Sequence, residues 1–173
     1  GARLLGAGAF ALAAAAAVAV FVRRDRDAAV VDVTPTASNE RAQASSLRST
    51  EGTGEVRIGG LVATPGSIVR AGDSIDVQNA RAVFDRAHKV AWLIEQDGPP
   101  QDRVASARVK SAGESLILAL EHGSIEAQVV PVPTGEAFAV DIATEHNLVR
   151  VAVHGTHLRV SRAGNRVVVD LTE

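Results

Sequence analysis

From Leu4 to Val22 the chain runs nineteen residues without a charge, an amide or a hydroxyl. At about 1.5 Å of rise per residue this makes roughly 28 Å of helix, close to the hydrocarbon thickness of a bilayer. Alanine is nearly neutral toward insertion, so the driving force rests on Leu4, Leu5, Phe10, Leu12, Val18, Val20, Phe21 and Val22. Together these supply roughly −2 to −5 kcal/mol. No polar stripe marks the run as one face of a soluble helix, and Arg23, Arg24 and Arg26 close it as an interfacial anchor does. The pattern predicts a single transmembrane helix with its flanks over residues 1–26, crossing the lipid bilayer through residues 4–22. A cleaved signal peptide is the competing reading, because Ala17-Val18-Ala19 fits a small-x-small cleavage site.

The pattern then changes twice. Residues 27–54 are rich in Ser, Thr, Ala, Asn, Gln and Gly, lack aromatics and alternate in charge. Such a segment buries too little apolar surface to offset its ordering entropy, which predicts a flexible linker, with Ala28 to Val33 as a short extended exception. About 25 flexible residues span on the order of 25–30 Å, enough to hold a following domain clear of the bilayer. From Glu55 onward, short runs rich in Val, Ile and Leu are separated by turn signals such as Gly59-Gly60, Thr64-Pro65-Gly66, Asp97-Gly98-Pro99-Pro100 and His122-Gly123. This rhythm predicts an all-β domain over 55–173, a sandwich or a solenoid-like stack.

Within it, Val149, Val151 and Val153 alternate against Arg150, Ala152 and His154. Phe138, Val140 and Ile142 line one face of the strand before, and Val167, Val169 and Leu171 one face of the last. Ser115 to Leu120 reads as a strand covered on both sides. The stretch from Asn79 to Trp92 fits two strands around a turn at 85–89 better than a helix. The chain begins at Gly1 and ends at Glu173 inside an alternating run, and the expectation is a segment of a longer protein.

Charge narrows the function classes. There are 18 Lys and Arg against 20 Asp and Glu, and no basic face or row of aromatics accompanies them, so a nucleic-acid role is not expected. The chain has no cysteine, which removes disulfides, thiolate nucleophiles, thiolate metal ligands and lipoprotein attachment. His154-x-x-His157, with His122 and His146 elsewhere, is the one arrangement that invites a metal. Positions i and i+3 of a strand point to opposite faces unless Gly155 re-aims one, so surface histidines beside a turn are the simpler reading. No nucleophile elbow, phosphate loop or dinucleotide fingerprint is present. Carboxylates are scattered, with Asp73/Asp76 and Glu95/Asp97 expected beside turns. No catalytic residue, cofactor, metal or small-molecule substrate is expected.

The C-terminal half carries a more specific pattern. Leu118-x-Leu120-x-x-Gly123-Ser124-Ile125 leads to Val129-x-Pro131 and Phe138-x-Val140. Then come Val149-x-Val151-x-Val153-His154-Gly155-Thr156-x-Leu158-x-Val160 and a closing Val167-x-Val169-x-Leu171-x-Glu173. Over about residues 60–173 this resembles the FecR domain, and Gly66-Ser67-Ile68-Val69-x-Ala71-Gly72-Asp73-x-Ile75 is similar to that family's opening hairpin. Two departures are visible: Leu158 stands where an aromatic is usual, and Ile142-Ala143-Thr144 is offset from the usual strand end. On physical grounds Gly155-Thr156 is a turn or bulge device rather than a chemical site.

The resemblance implies a single-pass inner-membrane regulator with its β domain in the periplasm. That domain would sense an outer-membrane receptor, and a cytoplasmic segment would control an extracytoplasmic-function sigma factor. The alternative is a structural or interaction module of the cell envelope, without sigma-factor control. Charge alone leaves the orientation open, because Arg23, Arg24 and Arg26 follow the helix and favour a cytoplasmic C-terminal side.

Overall fold

Three strands longer than the usual three to ten residues organise the protein: β2 (Ser45–Ile58), β5 (Ser74–Arg86) and β8 (Leu116–Val129). The computed structural model describes residues 18–23, 44–87, 89–97, 104–131, 137–145, 147–164 and 166–172. The other strands among them are β1 (Val18–Arg23), β3 (Leu61–Val62), β4 (Ile68–Val69), β6 (Val90–Glu95), β7 (Val104–Ala112), β9 (Phe138–Ala143), β10 (Leu148–Val153), β11 (His157–Ala163) and β12 (Arg166–Thr172). All pairings are antiparallel except β8 with β9. Among the described residues no helix is long and apolar enough to cross a membrane.

Each long strand bends midway and serves two sets of neighbours. β2 slips register against β5 between Gly52 and Glu55, opposite Asn79 with its φ of +50°. β8 slips against β7 where Ser106 pairs with His122 but Ala107 pairs with Leu120, leaving Glu121 as the extra residue. An extra residue inverts the side-chain alternation, and the burial pattern records each inversion. In β8 the buried positions are Leu116, Leu118 and Leu120 before the bend, then Ile125, Ala127 and Val129 after it. In β5 they change from Ile75 and Val77 to Ala82 and Phe84, and in β2 from Leu47 to Val56 and Ile58, with a further slip against β5 between Leu47 and Ser49. The apolar face therefore stays on the inside although the chain turns.

Because β5 pairs with both β6 and β7, and β8 does the same, the circuit β5–β6–β8–β7 closes into a small barrel. Beyond it, the β6 side runs β4–β2–β5–β6–β8–β11–β12, and the β7 side runs β3–β2–β5–β7–β8–β9–β10–β1. A solenoid would stack its strands in parallel, so the solenoid-like alternative is set aside in favour of a closed, mainly antiparallel sheet.

The interior is aliphatic apart from Phe138 and one stacked aromatic pair. Trp92 and Phe84, neighbours across β6 and β5, stack with centroids 4.1 Å apart and planes 7° from parallel. The Trp92 indole N–H donates to Ser45 Oγ at 2.9 Å. At the end of β5, Arg86 is 5% exposed and its guanidinium donates to the carbonyls of Gly113 and Glu114 in the β7–β8 turn. Burial lowers the pKa of this guanidinium from its ordinary value.

Two expectations change. The linker predicted over 27–54 ends earlier, since residues 45–54 belong to β2. Leu47 there is fully buried and the segment pairs with β5 from Ser45 to Gly52, so a single core leucine and a long partner strand outweigh a polar composition. The last five positions of the predicted transmembrane helix, residues 18–22, lie in β1 and pair with β10 from Val153 to Val149. Val18, Val20, Phe21 and Val22 are strong strand formers once a partner edge is present. Residues 1–17, with Leu4, Leu5, Phe10 and Leu12, and residues 24–43 lie outside the described residues. The two strands expected around residues 85–89 are β5 and β6.

β9 is buried on both faces, from Phe138 through Ile142, and this includes Asp141. Arg150, its partner in register on β10, grips that carboxylate at both ends, Nε to Oδ1 at 2.7 Å and the Nη2 nitrogen to Oδ2 at 2.9 Å. Removing one member of a buried pair strands the other charge. Arg150 keeps 28% side-chain exposure, so Asp141→Ala should cost roughly 2–3 kcal/mol, a little below the fully buried case. Asp141→Val with Arg150→Met should recover most of that loss, as urea denaturation of the single and double variants will show.

Candidate functional site

The bend leaves a polar groove on the outside of the barrel, about 760 Å³ in volume. Its floor is a single cross-strand row. Arg57 of β2 pairs with Asp76 of β5, Asp76 with Ser106 of β7, and Ser106 with His122 of β8. Glu55, Gln78, Gln96, Asp97, Val104 and Arg162 complete the walls. Asp76, expected beside a turn, lies inside β5, and the row forms only because three bent strands bring it into register.

Asp76, Ser106 and His122 are the residue types of a nucleophilic triad, but their order does not perform its chemistry. A relay needs the histidine between the serine and the carboxylate. Here Ser106 stands in the middle, and His122 lies two strand spacings, roughly 10 Å, from Asp76. Arg57 is held by Glu55, with Nε 2.6 Å from Oε1. Arg162 reaches back to the backbone carbonyls of Leu120 and Gly164, each at 3.3 Å. The groove therefore offers hydrogen-bonding groups and charges of both signs.

A second polar surface crosses the β6 side. Glu51, Arg81, Glu95, Arg159 and Glu126 alternate in charge between β2 and β11, and His157 adjoins Glu126. The contacts run from 2.8 Å for His157 Nε2 to Glu126 Oε1, through 3.0 Å for Arg159 to Glu95, to 3.7 Å for Arg81 to Glu51. Its alternation gives no single-sign field, and exposed pairs of this kind each contribute little to stability. His157 is engaged by Glu126, while His154 lies in the bend before β11. No group of three or more His, Cys, Asp or Glu suited to a metal is present among the described residues.

The FecR-like positions lie elsewhere, in the seams of the fold. Phe138, Val140, Val153, Leu158 and Val160 are all 0% exposed. Gly123 marks the bend of β8 at φ +89°, where a Cβ would stand 2.6 Å from the Glu95 carbonyl oxygen and 2.8 Å from Ala105 Cβ. Gly155 lies between β10 and β11, where a Cβ would stand 2.6 Å from Pro131 Cα. The Thr156 carbonyl accepts the Val129 N–H at 3.1 Å and ties this turn to the end of β8. These residues place strands, and none of them reaches the groove except Gly123 at its rim. The groove row was not visible in sequence, because its members lie on four strands. The one available cue was a run of polar residues at alternate positions in three apolar strands. Comparison with protein-family models, curated proteins and solved structures finds no match.

Proposed function

We propose that this chain is the FecR-like β domain of a membrane-anchored envelope regulator, a protein-binding module rather than an enzyme. In this reading the N-terminal apolar segment anchors it in the inner membrane and the β domain stands in the periplasm. An outer-membrane receptor supplies the signal, and a cytoplasmic segment of the full-length protein passes it to an extracytoplasmic-function sigma factor. What supports the reading is the position of Gly123 and Gly155, two glycines of the FecR-like pattern, at places where the surrounding chain leaves no room for a side chain, as it also does at Gly52 and Gly54.

The reading carries a structural consequence. A helix over residues 4–22 and strand β1 both use residues 18–22, so insertion takes β1 off the β10 edge. An uncovered edge of this kind accepts a strand from another protein.

Alkaline phosphatase fused after Glu173 of the full-length protein should be active, which places the domain outside the cytoplasm; an inactive fusion overturns the topology. The sigma factor should co-purify with the full-length protein. Active fusions without it would overturn the relay and leave a structural envelope module.

A further inference from the structure

Among the described residues β12 pairs with β11 alone, so one row of its backbone N–H and C=O groups faces outward. Natural edge strands are blunted by lysine, proline, bulges or inward charges. β12 reads Arg166-Val-Val-Val-Asp-Leu-Thr172 and carries none of the first three. Its register with β11 sorts its faces. Val169 and Leu171 lie across from Val160 and Leu158, both fully buried, so they continue the core-facing side. Val167 packs against the core, but Val169 is 37% exposed and Leu171 50%. Arg166, Val168 and Asp170 occupy the opposite face, which also carries Arg159.

We propose that β12 pairs antiparallel with the β12 of a second copy of this chain, about a two-fold axis at Val168. In that register Arg166 of each copy faces Asp170 of the other, Val167 faces Val169, and Val168 faces itself. The interface is isologous, using one patch twice, and joins the β6 sides of two copies into one sheet. Sequence selects the register. A slip of two residues sets Val168 against Asp170 or Arg166 and removes both ion pairs, while a slip of one sets core-facing against outward-facing side chains. The valines that lie half-exposed in one copy become neighbours of the other copy's valines on the core-facing side. This inference does not depend on the regulator reading.

The chain has no cysteine, so single cysteines in the full chain, held in detergent micelles, report the register. Directly opposed residues lie within disulfide range, whereas residues offset by two along the strand exceed about 7 Å. Val168→Cys should give a covalent dimer on mild oxidation. Val167→Cys and Val169→Cys should each cross-link several-fold less alone and efficiently when mixed. Sedimentation equilibrium should show Arg166→Glu and Asp170→Arg each weakening association by roughly tenfold or more, since each replaces two attractive cross-strand pairs with two repulsive ones. The double variant should restore it. A monomer at all accessible concentrations overturns the proposal. So does a cross-linking maximum at another position, or a dimer indifferent to single charge reversal.

Discussion

Alanine at position 54 should cost the domain roughly 3–4 kcal/mol, because the added carbon cannot be accommodated without opening the strand pair. A Cβ there would overlap the Gln78 carbonyl oxygen and lie 2.7 Å from the Asn79 carbonyl carbon. Both are backbone atoms of β5, so no side-chain rotation relieves the overlap. The strain falls where β2 changes phase against β5, and relief means separating the pairs that follow, from Glu55–Gln78 to Ile58–Ile75. That would uncover Val56 and Ile58, now 2% and 8% exposed. A loss of this size should lower the melting temperature by about 10 °C, as followed by far-ultraviolet circular dichroism. Thr53→Ala in the same exposed bulge should change it little. Equal effects from the two variants would contradict the account.

The second large effect is expected at Trp92, the only tryptophan in the chain. Trp92→Ala removes the stack on Phe84, leaves a large void at the centre of the β6 side and deprives the Ser45 hydroxyl of its donor. Ser45 itself is 1% exposed. Truncating a buried aromatic costs about 3–5 kcal/mol, more where the site cannot collapse. The rigid strands around Trp92 favour the upper part of that range. Trp92→Phe keeps a ring beside Phe84 and should lose less than half as much, mainly the hydrogen bond and some contact area. Urea titrations of the three proteins should rank them in that order, with the wild-type midpoint also readable from the emission of Trp92 itself.

Much of the fold was legible in the sequence where one strand face is core and the other is not. The alternations at Phe138, Val140 and Ile142, and at Val149, Val151 and Val153, fall on β9 and β10 as read, and the pair of strands around residues 85–89 fall on β5 and β6. What sequence reading missed has a common physical cause. Ser45 to Gly54 looked like linker because its value lies in partner backbone and in one buried leucine, Leu47, not in its own composition. Residues 18–22 are apolar enough for a helix and β-branched enough for a strand, and only the presence of the β10 edge distinguishes them. The groove row of Arg57, Asp76, Ser106 and His122 depends on register among four strands, which no local pattern encodes. Yet the bends that create it did leave a mark. The buried positions of β5 change parity across Asn79, those of β8 across Glu121–Gly123 and those of β2 between Leu47 and Val56, where it slips twice against β5, and a strand whose apolar residues switch from odd to even announces a corner.

Those corners also bear on how the protein comes apart. β5 and β8 each carry hydrogen bonds to β6 on one side of their bend and to β7 on the other. Neither half of the barrel can melt without stripping partners from strands that the other half still needs. Opening by independent subdomains is therefore closed off, and the amides of β5 and β8 exchange with solvent only when the whole barrel opens. The short strands β3 and β4, each held by two residue pairs to β2, and the edge strand β1 lie at the margins of this unit. The polypeptide thus has a single cooperative centre with detachable borders.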